Sequence, residues 1–111
     1  MARPHALSGE IVSLAPPEAG LSEVKTHALV KTPEFEAIRL FLAAGKELKD
    51  HKVDGSITLQ CLDGVVDFRF GQQVRRMQAG DWLYLDGGVI HSLWAHEDAA
   101  LLLTIMLRPP T

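Results

Sequence analysis

Five histidines and a single cysteine are the side chains of this 111-residue chain best suited to metal or acid–base chemistry. Two of the histidines stand beside glycine turns. His51 lies between Gly45 and the Asp54-Gly55 turn, while His91 follows Asp86-Gly87-Gly88-Val89-Ile90 and opens the apolar run Ser92-Leu93-Trp94-Ala95. Glycine and aspartate tolerate the tight backbone that such turns need. A histidine at the mouth of a strand is where small β-barrels and sandwiches collect binding groups. An imidazole there can ligate a divalent ion, carry a proton or hydrogen-bond a small molecule. The competing reading makes His51 and His91 polar residues satisfied by each other or by backbone. His5 and His27 have no partners nearby in sequence and read as structural, and His96 falls in the His96-Glu97-Asp98 turn.

The remaining reactive groups are sparse. Cys61 has no partner for an internal disulfide and no histidine paired to it by motif, so it reads as a small buried hydrophobe. Gln60 is polar within an apolar strand, on the opposite face from Ile57 by alternation. Trp82 and Trp94 could wall a ligand cavity, but core packing accounts for both. Asp81 serves the Gly80-Asp81 turn, Asp54 is explained by its Asp-Gly turn, and the alternation around Tyr84 does not settle which way it points.

Length and composition narrow the classes. A chain of 111 residues with 47% hydrophobic residues and a net charge of −3 has the material for one globular domain. The densest basic cluster is Arg75-Arg76, too little for a nucleic-acid face. The longest apolar run, Ala99 to Met106, falls far short of the ~20 residues of a membrane helix. With one cysteine and no charged-then-apolar leader, a cytoplasmic location is expected.

Short strands must position the histidines. Glycine turns recur about every ten residues, the punctuation of a sandwich or barrel. Strands are expected over Gly9 to Leu14, Val24 to Val30, Glu34 to Ala44, Ile57 to Leu62, Val65 to Phe70, Val74 to Met77, Trp82 to Leu85, His91 to Trp94 and Ala100 to Leu107. Phe35, Ile38, Phe41 and Leu42 would also suit a helix, but the flanking strands favour β structure. Lys46 to Asp50 reads as a polar connection. The expected layout is an N-terminal arm over residues 1–8, one domain over 9–108 and a tail over 109–111.

Gly45-(five residues)-His51-Lys-Val53-(three residues)-Ile57-(six residues)-Gly64 resembles the first motif of the cupins, and Gly80-(five residues)-Asp86-Gly-Gly88-Val-Ile-His91-(three residues)-Ala95 resembles the second. The resemblance implies an all-β, double-stranded β-helix or jelly-roll barrel of the small RmlC-like kind, often a homodimer. It also implies a divalent metal, such as zinc, nickel, iron or manganese, at the barrel mouth. His51 and His91 match two of the ligand positions, but Val53 and Ile57 stand where cupins commonly have a histidine and a glutamate. Gln60 or Cys61 would have to extend the set. Val53, Ile57, Leu59, Cys61 and Leu93 are the expected pocket lining. The expected function is small-molecule or weak metal binding by a stand-alone module, with a metal-dependent dioxygenase or isomerase of cupin type as the alternative. A homodimer is favoured by the apolar last strand, with Glu10 to Leu14 a segment for exchange between subunits.

Overall fold

The computed structural model describes residues 5–107; the first half of the expected arm, and residues 108–111 with the expected tail, lie outside them. The described chain is all-β: β1 (Val24–Lys31), β2 (Phe35–Leu42), β3 (Glu47–His51), β4 (Ile57–Asp63), β5 (Val65–Phe70), β6 (Gln73–Gln78), β7 (Trp82–Leu85), β8 (His91–Ala95) and β9 (Ala99–Met106). They form two antiparallel sheets, ordered β1-β2-β9-β4-β7 and β3-β8-β5-β6.

Alternation decides what each strand buries. In β4, Ile57, Leu59 and Cys61 are buried while Gln60 is exposed; in β5, Val66 and Phe68 are buried. These side chains meet Leu40, Leu42, Leu93 and Leu101 in one core between the sheets. β9 carries a continuous apolar run because it is the central strand of its sheet, flanked by β2 and β4, with Ala99, Leu101, Leu103 and Ile105 buried. The segment Glu34 to Ala44 resolves as strand, its ladder to β9 running unbroken from Phe35 to Leu42.

Three expectations are corrected. The polar stretch Lys46 to Asp50 is largely a strand, β3, which lies at the edge of its sheet and therefore needs few apolar residues. Gly9 to Leu14 begins in a turn and forms no ladder; its Ser13 carbonyl accepts from Arg39 Nη1 at 2.9 Å, and Ile11 is 92% exposed. The β1–β2 ladder shifts register between Ala28 and Val30, and Leu29 O there accepts from Ala6 N–H. Trp82 is 62% exposed rather than packed in the core, because β7 turns Leu83 and Leu85 inward opposite Leu59 and Ile57.

Two contacts close the ends of the barrel. At one end the Asp54-Gly55 and Asp86-Gly87-Gly88 turns touch backbone to backbone: a Cβ on Gly87 would lie 2.0 Å from Asp54 O, and one on Gly55 1.6 Å from Met106 O. Gly88 N–H donates to Val53 O at 2.8 Å. At the other end Asp98 receives Ala44 N–H on Oδ1 at 2.9 Å and Leu21 N–H on Oδ2 at 3.0 Å. These two donors hold its carboxyl below the usual carboxylate range.

Gly87→Ala is expected to lower unfolding stability by about 2–4 kcal/mol in denaturant titration, because the methyl would have to push Asp54 aside. An unchanged midpoint would show that the turns do not need this approach. Because the Asp98 pKa is depressed on folding, its contribution is complete above the unfolded carboxylate value and is lost as pH falls through the folded one. Asp98→Asn should therefore lower Tm at neutral pH and flatten the acid limb of the stability profile, as followed by thermal melts across pH.

Candidate functional site

Between the sheets lies a partly open cavity of about 230 Å³. Its wall is apolar, built from inward residues of both sheets such as Ile38, Leu40, Ile57, Leu59, Leu93 and Leu103. Thr26, Glu36, Lys49, His51, His91 and Ser92 supply its polar groups.

The two histidines are brought together by β3 and β8, whose ladder pairs His51 with His91. Strict alternation from the inward Leu48 would turn His51 outward. A register shift between Leu48 and His51, however, fits one extra residue into β3 and re-aims His51 to the face of His91. The rings lie edge to face, 6.0 Å between centroids at 63°. Phe68 stacks on the His91 ring at 5.5 Å and 17°. His91 is buried, 8% exposed, and its Nδ1 lies 3.0 Å from Val89 O. A carbonyl only accepts, so Nδ1 carries the hydrogen and donates it; in the neutral ring Nε2 is then left as an acceptor. His51 is exposed. One imidazole is thus fixed in orientation and the other is open to solvent.

The other expected residues separate. Ile57, Leu59 and Leu93 line the cavity. Val53 packs half-buried against the core and lines a separate depression with Lys52 and Asp54. Gln60 points out of the barrel. Cys61 is buried on the inward face, but away from the cavity lining, and its Sγ lies 3.6 Å from Asp63 O and 3.7 Å from Gly64 O. Burial pushes its thiol pKa up, the reverse of an activated nucleophile. His96 lies elsewhere, with Nε2 3.0 Å from Asp67 Oδ2 and 2.9 Å from Arg76 Nη2. Burial opposes ionisation of Asp67, but hydrogen bonds from His96 and Arg76 outweigh it and keep that carboxyl below its ordinary value. Trp94 meets His96 edge-on at 4.5 Å rather than walling the cavity.

The sequence reading missed the contribution of β1, β2 and β9 to the wall, and also two charged cavity residues, Glu36 and Lys49. Glu36 was legible, because it shares the alternating face of the buried Leu40 and Leu42. Lys49 was not, since it sits within the β3 register shift that no local pattern announces.

The donor set does not fit a resident first-row metal. Such an ion takes three or more protein ligands, and among the described residues no group of three or more His, Cys, Asp or Glu side chains converges to hold one. The cavity instead offers an apolar pocket with a fixed acceptor, a carboxylate, one lysine and a second imidazole.

Comparison with known proteins agrees with this architecture. No curated protein sequence matches the chain. Among solved structures it resembles a cupin superfamily protein from Desulfitobacterium hafniense, 16% identical with a TM-score of 0.81, over 97% of this chain and 99% of that one. It also resembles an RmlC-like cupin protein from Desulfovibrio desulfuricans, 22% identical with a TM-score of 0.71, over 96% and 98% of the two chains. A salicylate 1,2-dioxygenase mutant from Pseudoaminobacter salicylatoxidans aligns at 22% identity and a TM-score of 0.63, over 66% of this chain but only 21% of that one. The family model described as the AraC-like ligand binding domain matches residues 43–111, a span that contains both glycine turns and both cavity histidines. With a family match over more than half its length, the chain belongs to the AraC-like ligand-binding domain family, and its barrel has the fold of the cupins it resembles.

Proposed function

We propose that this domain binds a small, largely apolar organic molecule with one polar end, without a resident metal. The observation that carries the reading is the cavity itself: about 230 Å³, walled by aliphatic side chains, with the His51–His91 pair at one side. Its volume falls just below the ~300–1,000 Å³ of sites for drug-sized ligands, which favours a compact guest. The aliphatic wall would take the body of the ligand. His91 Nε2, oriented by the Nδ1–H bond to Val89 O, would accept a hydrogen bond from a hydroxyl or amide. Lys49 and the solvent-facing His51 would meet an acceptor or anionic group at the mouth. Glu36 adds a second acceptor and disfavours a guest that is anionic throughout.

The metal-dependent oxygenase or isomerase alternative needs a third ligand near the histidines. Gln60 faces outward, and Cys61 is spent on the carbonyls of Asp63 and Gly64. Binding, rather than turnover, is the chemistry these residues support.

A thermal-shift screen of small aromatic and branched aliphatic alcohols, amides and monocarboxylates should find compounds that raise Tm with no metal added. Mass action gives about 2.7 kcal/mol at a ligand concentration about a hundredfold above Kd. His91→Ala should abolish the shift while Gln60→Ala keeps it. A screen in which no compound stabilises the wild type, with His51→Ala and His91→Ala each merely lowering Tm, would assign the histidines to structure alone. Elemental analysis of untagged protein is expected to give metal far below one equivalent. Near-stoichiometric metal released by His91→Ala would overturn the metal-free reading.

A further inference from the structure

The same two strands that wall the cavity also build a groove on their other face. In the β1–β2 ladder, Thr26↔Leu40 and Ala28↔Ile38 alternate with Lys25↔Phe41 and His27↔Arg39. Leu40 is buried in the core and Ile38 lines the cavity, so period 2 places Lys25, His27, Arg39 and Phe41 on the opposite face. The N-terminal segment crosses there, tied by Ala6 N–H to Leu29 O and by Ser13 O to Arg39, and contributes His5, Ala15 and Pro17 to the lining. The resulting groove is wide and open, about 780 Å³.

Its charge runs against that of the chain. The whole sequence has a net charge of −3, yet the groove is lined by Lys25, Arg39, His27 and His5 and by no aspartate or glutamate. Arg39 is held from several sides: Nη1 donates to Ser13 O at 2.9 Å, Nη2 lies 3.5 Å from His27 Nδ1, and the guanidinium stands 5.0 Å over the Phe41 ring. When His27 Nδ1 accepts from Arg39, its hydrogen is on Nε2, so His27 also presents a donor. Lys25 is exposed and has no side-chain partner among the described residues. The Lys25 ammonium and the remaining Arg39 N–H groups are donors, and so is His27 Nε2 in that tautomer, beside an apolar floor of Phe41, Ala15 and Pro17.

We propose that this groove is a second ligand site, distinct from the cavity, for a phosphate monoester with a compact apolar body. A lysine ammonium and an arginine fork already set in place, with two histidine rings in the same lining, suit a doubly charged, acceptor-rich phosphate better than a single carboxylate. Phe41, Ala15 and Pro17 would carry the apolar body.

The test is a two-dimensional NMR titration of the full chain with phenyl phosphate, with benzoate in parallel. Phenyl phosphate should give saturable shifts at Lys25, His27, the Arg39 Nε–H and the facing residues Ala6 and Ala15. Benzoate should bind more weakly at the same place. Lys25→Glu, a change at an exposed and unpartnered position, should weaken phenyl phosphate by about tenfold or more, the effect of losing one charge-assisted contact and adding a repulsive charge. Absence of saturation at about 10 mM, well past the ~1 mM Kd of a weak specific site, would overturn the proposal. So would unchanged affinity in Lys25→Glu, or shifts centred on His51 and His91. Benzoate binding as tightly as phenyl phosphate would overturn the phosphate class.

Discussion

The approach of Gly87 to the backbone of Asp54 is the contact on which the candidate site depends. It joins the loop that leaves β3 to the loop that enters β8, and Gly88 N–H seals the join on Val53 O. The strands alone could not do this. β3 has five residues, lies at a sheet edge and slips register before it reaches His51. A short edge ladder with a bulge fixes position weakly. The glycine join supplies the second anchor, so that His51 arrives opposite His91 although its own strand is irregular. Gly55 extends the join to Met106 at the end of β9, and through β9 to the centre of the larger sheet.

How much of this was legible in the sequence follows from which forces are local. Hairpin turns and alternation are local, so eight of the nine strands, the all-β class and the inward face of β4 could be read from residue order alone. The paired motifs also pointed to His51 and His91 as neighbours, because turn glycines hold their spacing even where ligand residues have changed. What stayed hidden was set by distant chain. β3 contains only Leu48 as an apolar residue, since its outer side meets water and its edge has no second neighbour. Its bulge leaves no mark in the sequence. Gly9 to Leu14 has the composition of a short strand, yet a strand exists only if an edge accepts it, and here Ser13 O is taken by the Arg39 side chain rather than by a ladder. Alternation places a residue on a face but gives no depth along the barrel: Cys61 and Ile57 share the inward side of β4, while only Ile57 reaches the cavity.

The apolar residues at the two unmatched ligand positions change the chemistry rather than merely subtracting from it. Ile57 is 1% exposed and belongs to the aliphatic wall. A glutamate at that place would bring a charge into the core that only a cation could offset. Val53 spends its carbonyl on Gly88 and its side chain on the core. With Phe68 stacked on His91 and Nδ1 bonded to Val89 O, the imidazole sits against carbon on one side with Nε2 left over. An imidazole in such surroundings is suited to a directional hydrogen bond, which gains strength as water is excluded.

Parity along β1 and β2 then builds two unlike surfaces with one pair of strands. Inward, Ile38 and Leu40 belong to the cavity wall and Glu36 adds an acceptor; outward, Arg39 and Phe41 alternate with them and meet His27 and Lys25. Burial of Leu40 and Leu42 at 1% and 0% exposure fixes which set faces in. A slip of one residue would put Arg39 and Phe41 into the core and Leu40 into water, a change opposed by both the hydrophobic term and the cost of burying an unpaired guanidinium. The register shift between Ala28 and Val30 falls after His27, so it leaves the His27–Arg39 and Lys25–Phe41 pairs intact while freeing Leu29 O to hold the N-terminal segment. The outward basic row is therefore a consequence of the same core packing that shapes the cavity, and the segment that completes the groove is held by the irregularity in β1.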